Sequence, residues 1–160
     1  MKDLQVIFIE QQEQLDQAAT IANQVFFSQV LPSYGPKAFG AMARYCATKA
    51  DRLEEYSRHG IQYTAAAYSK KNMVGMVSFD KQGVVRLLYV KQQFQHHGVG
   101  ERLLTFAEQQ LKQAGQPWVY VDAALGAVPF YKKHGYQQTD FTCDKEGIVF
   151  LPMKKQIKKG

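Results

Sequence analysis

The chain has 160 residues, of which 46% are hydrophobic and 21% charged. That is ordinary globular usage, enough for one domain with its own core and little room for a second. The net charge of +6 is concentrated at the end, in Lys154, Lys155, Lys158 and Lys159; without these four the balance is about +2, too small to point to a nucleic-acid partner.

In chain order, "LQVIFIE" (4–10) is rich in β-formers and predicts a first strand. The following stretch places Leu15, Ala18, Ala19, Ala22, Val25 and Phe26 at helical spacing, an amphipathic helix. "LPSYGPKAF" breaks it with two prolines and a glycine. A less regular helical stretch follows over about 37–58, with Phe39, Tyr45 and Tyr56. "IQYTAAAYS", "MVGMVSFD" and "VVRLLYV" then read as strands joined by short polar turns, so 61–90 should form an antiparallel meander. Residues 98–114 form a clear helix with Leu103, Leu104, Ala107 and Leu111 on one face. "PWVYVDA" reads as a strand, "VPFYKKH" as a short helix, and the remainder as a closing hairpin around Lys145-Glu146-Gly147. The expected fold is a single α/β (α+β) domain, a mixed sheet of about seven strands flanked by helices: the meander first, then β-α-β-α-β-β. The domain is expected to span 1–153, with 154–160 a solvated, frayed Lys-rich tail.

Cys46 and Cys143 lie far apart, without a CxxC or a nearby Cys/His partner, and fit buried or idle thiols of a reducing compartment. The N-terminal apolar stretch is too short and interrupted for a signal peptide, and no run approaches the roughly 18 apolar residues of a membrane span. A cytoplasmic protein with no membrane partner is expected.

The informative stretch is "QHHGVG", residues 95–100, between a strand and a helix. Adjacent histidines cannot easily face one ion, and neither His96 nor His97 has an i+4 partner, so no metal is expected. A dinucleotide fingerprint lacks its third glycine, since Glu101, Arg102 and Leu103 follow Gly100, and no GxxxxGK[ST] occurs. What remains is a Gly-bearing helix start. It either aims unpaired backbone N–H groups at an anion or merely permits a tight turn, and the local pattern leaves both open.

The wider pattern resembles the GNAT superfamily of acyl-CoA-dependent N-acyltransferases. "LLYV" (87–90) followed by Gln95-His96-His97-Gly98-Val99-Gly100 is similar to the family's strand and [QR]-x-x-G-x-[GA] helix start. Ala127-Val128-Pro129-Phe130-Tyr131-Lys132-Lys133-His134-Gly135-Tyr136 is similar to its A-x-x-F-Y-x-x-x-G-[FY]. The two signatures stand in the family's order, and the resemblance covers 61–153 by motif and the whole chain by element order. In three places the chain departs from the pattern: His96 stands where the family often has Gly, Glu101 follows the Gly-x-Gly step, and "AALG" (123–126) lacks an Asn common in relatives.

The resemblance implies acetyl-CoA as co-substrate, its pyrophosphate on the backbone amides of Gln95, His96, His97, Gly98, Val99 and Gly100. It implies that Leu88, Tyr89 and Val90 offer strand backbone to the pantetheine arm where this strand splays from "WVYVDA". An amide near Val90 would also donate to the thioester carbonyl. Tyr131 matches the usual proton donor to the leaving thiolate. The acceptor would be a small-molecule or peptide amine that attacks directly. The alternative is a non-catalytic acyl-CoA-binding or sensing module of the same fold; a third reading, nucleic-acid binding through the lysine tail, rests on charge alone. Asp80, Asp122, Glu54 and Glu55 are candidate general bases, of which Asp122 is the most interesting because it ends the strand beside the splay, where many relatives have Asn or Ser. Tyr34 either closes over the acceptor or caps the core. A homodimer is compatible with the sequence and not dictated by it.

Overall fold

The computed structural model describes residues 3–36, 38, 47–145 and 147–158. Phe39, Tyr45, Cys46, Glu146 and Lys159 lie outside the described residues. Among the described residues eight strands form one sheet: β1 (Leu4–Phe8), β2 (Gln62–Ser69), β3 (Asn72–Asp80), β4 (Val84–Val90), β5 (Trp118–Ala124), β6 (Gln137–Gln138), β7 (Cys143–Lys145) and β8 (Ile148–Gln156). The order is β1-β2-β3-β4-β5-β8-β6, with β7 also on β8. Every pairing is antiparallel except β4 with β5. The meander over 61–90 is as expected; the strand beyond the expected count is Gln137–Gln138, too short to carry a periodicity.

Among the described residues, four α-helices cover the sheet. α1 (Gln12–Val25) and α2 (Ala50–Arg58) pack on one face, where Leu15, Ala18, Ile21 and Ala22 meet Leu53, Ala66 and Met76. α3 (Val99–Gln113) and α4 (Val128–Lys133) pack on the other, with Leu103, Leu104, Ala107 and Leu111 against Val77, Val119 and Val121. The apolar positions read from the sequence on both long helices are buried. Phe26 is buried too, but the helix has by then widened into a π-turn, Phe26–Val30, followed by a 3-10 turn, Leu31–Ser33. Gly75 lets α3 sit close to the sheet, since a Cβ there would lie 2.9 Å from Leu103 Cδ1 and 3.0 Å from the Tyr89 carbonyl.

The lysine-rich end differs from the expected frayed tail. β8 runs to Gln156, so Lys154 and Lys155 are strand residues. Lys154 Nζ sits 4.3 Å over the Trp118 ring, and Lys155 Nζ donates to both Glu108 carboxylate oxygens at 3.2 Å. Long lysine stems cover apolar surface while their charged ends find a ring or a carboxylate, which is why a charge run reads poorly as disorder. Cys143 is exposed, not buried.

Candidate active site

The site begins with a parting of two strands. β4 and β5 pair only through Val84↔Tyr120 and Val85↔Val121, yet β4 continues to Val90 and β5 to Ala124. One extra residue, Arg86, lies in β4 between the pairs Phe79↔Val85 and Ser78↔Leu87. Such a bulge bends its strand and reverses the side-chain alternation. Val85 therefore shares the α3 face with Leu88 and Val90, while Leu87 and Tyr89 face α1. Lys91 N–H donates to the Val74 carbonyl across the β3–β4 ladder at 2.9 Å. By the alternation of an antiparallel pair, Leu88 and Val90 then turn their backbone groups toward the split. Gln95 Nε2 caps the Val90 carbonyl at 3.0 Å and also donates to Gln29 Oε1 at 2.6 Å, tying the loop to the π-turn.

The split is the centre of a cleft of about 920 Å³ that passes between the two faces of the sheet. On the α3 face its mouth is a helix start. The first intrahelical bond runs from Arg102 N–H to the Gly98 carbonyl, and no side chain caps the end. The amides of Val99, Gly100 and Glu101 thus have no partner within the helix. Gly98 has φ +82°, and a Cβ there would meet nothing within 4 Å, so the space before these amides is open. Gly100 is tighter, with Phe130 Cε1 3.4 Å from a Cβ position. His96 adopts φ +65°, a left-handed conformation costly for a residue with a Cβ. Lys133 and His134, from the end of α4, add positive or protonatable groups to the same mouth.

Tyr131 lines the cleft while 5% exposed, its ring edge-on to Phe130 at 5.2 Å and to Tyr136 at 5.4 Å. Burial first, and the neighbouring Tyr89 second, push its pKa well above the usual phenol range. Tyr136 is shifted in the same direction by burial and by Glu108, to which its hydroxyl donates at 2.7 Å.

The opposite mouth is apolar. Phe26, Val30, Tyr34, Tyr89 and Ile148 share one cluster beside the α1 face, and Phe150 joins them in lining the cleft. Tyr34 Oη donates to the Val149 carbonyl at 2.7 Å and accepts from Leu125 N–H at 3.3 Å, so it fastens the turn after α1 to β8 and to the end of β5.

Of the residues singled out from the sequence, Leu88, Tyr89, Val90, Gln95, His96, Gly98, Gly100 and Tyr131 all line this one cleft. His97 and Val99 do not: His97 is exposed with Nδ1 3.1 Å from the Gln95 carbonyl, and the Val99 side chain is 1% exposed in the core. Among the base candidates, Asp122 lines the cleft. Asp80 instead caps its own turn, accepting from the amides of Gln82 and Val84 and pairing with Arg86 at 2.9 Å. Glu54 is paired with Arg58, and Glu55 stands on α2 away from the cleft lining. The sequence reading assigned no individual site role to Phe26, Gln29, Lys133, His134, Ile148 or Phe150, although Ile148 and Phe150 fall in the 140–150 hairpin expected to help build the acceptor pocket. Lys133 and His134 were within reach, since they follow Phe130 by three and four residues along one short helix. Among the described residues no three His, Cys, Asp or Glu side chains gather as a metal site requires, and no helix is long and apolar enough to cross a membrane.

The comparisons agree with this architecture. A family model, the acetyltransferase (GNAT) domain, matches residues 30–157. No curated protein matches the chain in sequence. A GCN5-related N-acetyltransferase from Rhodopseudomonas palustris superposes with TM-score 0.76 at 23% identity, over 95% of this chain and 94% of its own. The PaiA N-acetyltransferase of Thermoplasma acidophilum, solved with coenzyme A, gives 0.74 at 17% identity over 95% and 99%. YncA of Salmonella typhimurium, an acetyltransferase solved with its cofactor acetyl-CoA, gives 0.73 at 14% over 99% and 96%. These likenesses establish the fold, and the family model, covering most of the sequence, establishes that the chain belongs to the GNAT acetyltransferases.

Proposed function

We propose that the chain transfers the acetyl group of acetyl-CoA to a primary amine by direct attack. The observation that carries this reading is the β4–β5 split, which joins an anion-accepting helix start on one face to an apolar mouth on the other. The residues present fit the co-substrate: an uncapped helix N-terminus behind Gly98, with open space before it, suits a pyrophosphate. Lys133 adds a positive charge and His134 a ring N–H donor at the same mouth, and the N–H groups of Leu88 and Val90 suit the amides of an extended arm laid along β4. Acetyl-CoA supplies the activated acetyl thioester.

The chain's own residues do the rest. The amide of Val90, aimed into the split, donates to the carbonyl oxygen as charge develops, a contribution of about 3 kcal/mol for one well-placed donor. Tyr131 stays protonated throughout the range in which an amine is free to attack, because its burial disfavours the phenolate. The same shift makes it a reluctant source of a whole proton. It acts as a hydrogen-bond donor to the sulfur as the bond breaks, and gives up its proton as the attacking nitrogen loses one to the cleft. Asp122, on the cleft wall, holds the incoming ammonium, and one proton leaves that ammonium through water to free the lone pair before attack. The second, lost after attack, is relayed through water to Tyr131, so that the thiol leaves protonated and the phenol is restored.

The test is release of free CoA thiol from acetyl-CoA in the presence of primary amines. The expected result is amine-dependent release that tracks formation of the N-acetyl product. Acetyl-CoA binding without release to any amine would contradict the catalytic reading.

A further inference from the structure

The apolar mouth says more about the acceptor than that it is an amine. On β5 the side chains of Val119, Val121 and Ala123 enter the α3-side core, so Asp122 and Ala124 point to the opposite face. Across the ladder, Asp122 pairs with Pro152 and Ala124 with Phe150, while Leu151 and Met153 lie in the α3-side core. Phe150, and by the same alternation Ile148, therefore stand on the Asp122 face. Asp122 shares its mouth with Phe26, Val30, Tyr34 and Tyr89.

Carboxylates are scarce there, and the Arg86 guanidinium, which also lines the cleft, is paired with Asp80 at 2.9 Å. Among the described residues lining the cleft, the carboxylates are Glu101 and Asp122, and Glu101 belongs to the α3 start on the other face. Phe26, Gln29, Val30, Ser33 and Tyr34 supply one side of this mouth, and the sequence around them, from Gln17 to Ala50, contains no Asp or Glu. A polycationic acceptor would carry further ammonium groups against Phe26, Val30 and Ile148, where no carboxylate among the described residues replaces their water. An aromatic face recovers only part of that loss, less than an ammonium loses on burial without a partner.

Resting on the acetyltransferase reading above, we propose that the acceptor is a monoamine carried on an apolar body, alkyl or arylalkyl. Its single ammonium is held at Asp122 and its body lies against Phe26, Val30, Tyr89 and Ile148. Polyamines and aminoglycosides fit this mouth less well, because among the described residues lining it no second carboxylate stands on the Asp122 face.

The experiment uses the full chain and has two readouts, acetyl-CoA binding by calorimetry and CoA release with a panel of amines. The panel contains hexylamine and phenethylamine against spermidine and an aminoglycoside. The expected result is a kcat/KM for the apolar monoamines about 10-fold or more above that for the polycations. Asp122→Asn should lower the monoamine kcat/KM by a similar factor while acetyl-CoA binding is retained. Val30→Glu, checked for folding by the same acetyl-CoA titration, should shift preference toward spermidine; Ile148→Glu serves if Val30→Glu fails that check. Equal or better turnover of the polycations by the unmodified chain, or no transfer to either monoamine while acetyl-CoA binds, overturns the proposal and leaves the cofactor reading standing. Absence of acetyl-CoA binding overturns both.

Discussion

The two mouths of the β4–β5 split are built by different means. On the α3 face one short run, 95–100, supplies nearly everything through its backbone: a left-handed Gly98, an uncapped helix start and the open space before it. On the other face the wall is assembled from side chains of the turn after α1, of β4 and of β8, joined by the Tyr34 hydrogen bonds. A backbone-built site depends on where glycine is allowed and leaves a local mark in the sequence. A pocket built from side chains leaves none, because any apolar residue of suitable size serves.

Tyr131 stands where the two mouths meet, so changing it should break catalysis and leave both mouths in place. Tyr131→Phe is expected to lower kcat roughly 100-fold with acetyl-CoA affinity little changed, read by steady-state kinetics beside calorimetry. An unchanged kcat would make Tyr131 a packing residue. Tyr34→Phe tests the side-chain mouth. It removes the donor to the Val149 carbonyl and the acceptor of Leu125 N–H, and should cost about 1–2 kcal/mol in urea unfolding. The acceptor KM should rise, and the acetyl-CoA dissociation constant should not follow it.

The buried phenols beside the split give a pH signature. Tyr131 and Tyr136 both have folded pKa values above the unfolded value near 10. The native state therefore holds these protons more tightly, so the stability they contribute is fully present below about pH 10 and is lost as pH rises beyond it. Tyr136→Phe removes one such proton, and the fall in unfolding free energy above pH 10 should become shallower by about 1.4 kcal/mol per pH unit. An unchanged alkaline slope would contradict the burial argument. The smallest effect belongs to the backbone mouth: His96→Gly relieves a left-handed residue and should raise stability by about 1 kcal/mol, measured as a shift in the denaturant midpoint. A loss of stability would mean that the His96 ring contributes more than its backbone costs.

Much of the fold was readable because its elements carry strong periodicity. The buried stripe Leu103, Leu104, Ala107 and Leu111, and the three meander strands, are set by spacing alone. Gly98 was readable because a positive φ at a helix start restricts the choice of residue. The π-turn was not, since nothing in "FFSQV" distinguishes a widened turn from another turn of α1. Lys154 and Lys155 misled because their charge suggests solvent, whereas Trp118 and Glu108, far away in sequence, give them partners in the sheet. Asp122 stood out from Asp80 as a candidate base only through its place beside the splay. Only the fold shows one on the cleft wall and the other spent on its own turn.

The central claim is that the open helix start behind Gly98 receives the co-substrate. Its most direct test is calorimetric titration of the chain and of Gly98→Val with acetyl-CoA, with NADH as control and thermal unfolding to confirm that both proteins are folded. Micromolar binding of acetyl-CoA alone, weakened about 10-fold or more in Gly98→Val, is the predicted result. No binding to the unmodified chain, or equal binding to both, would contradict it.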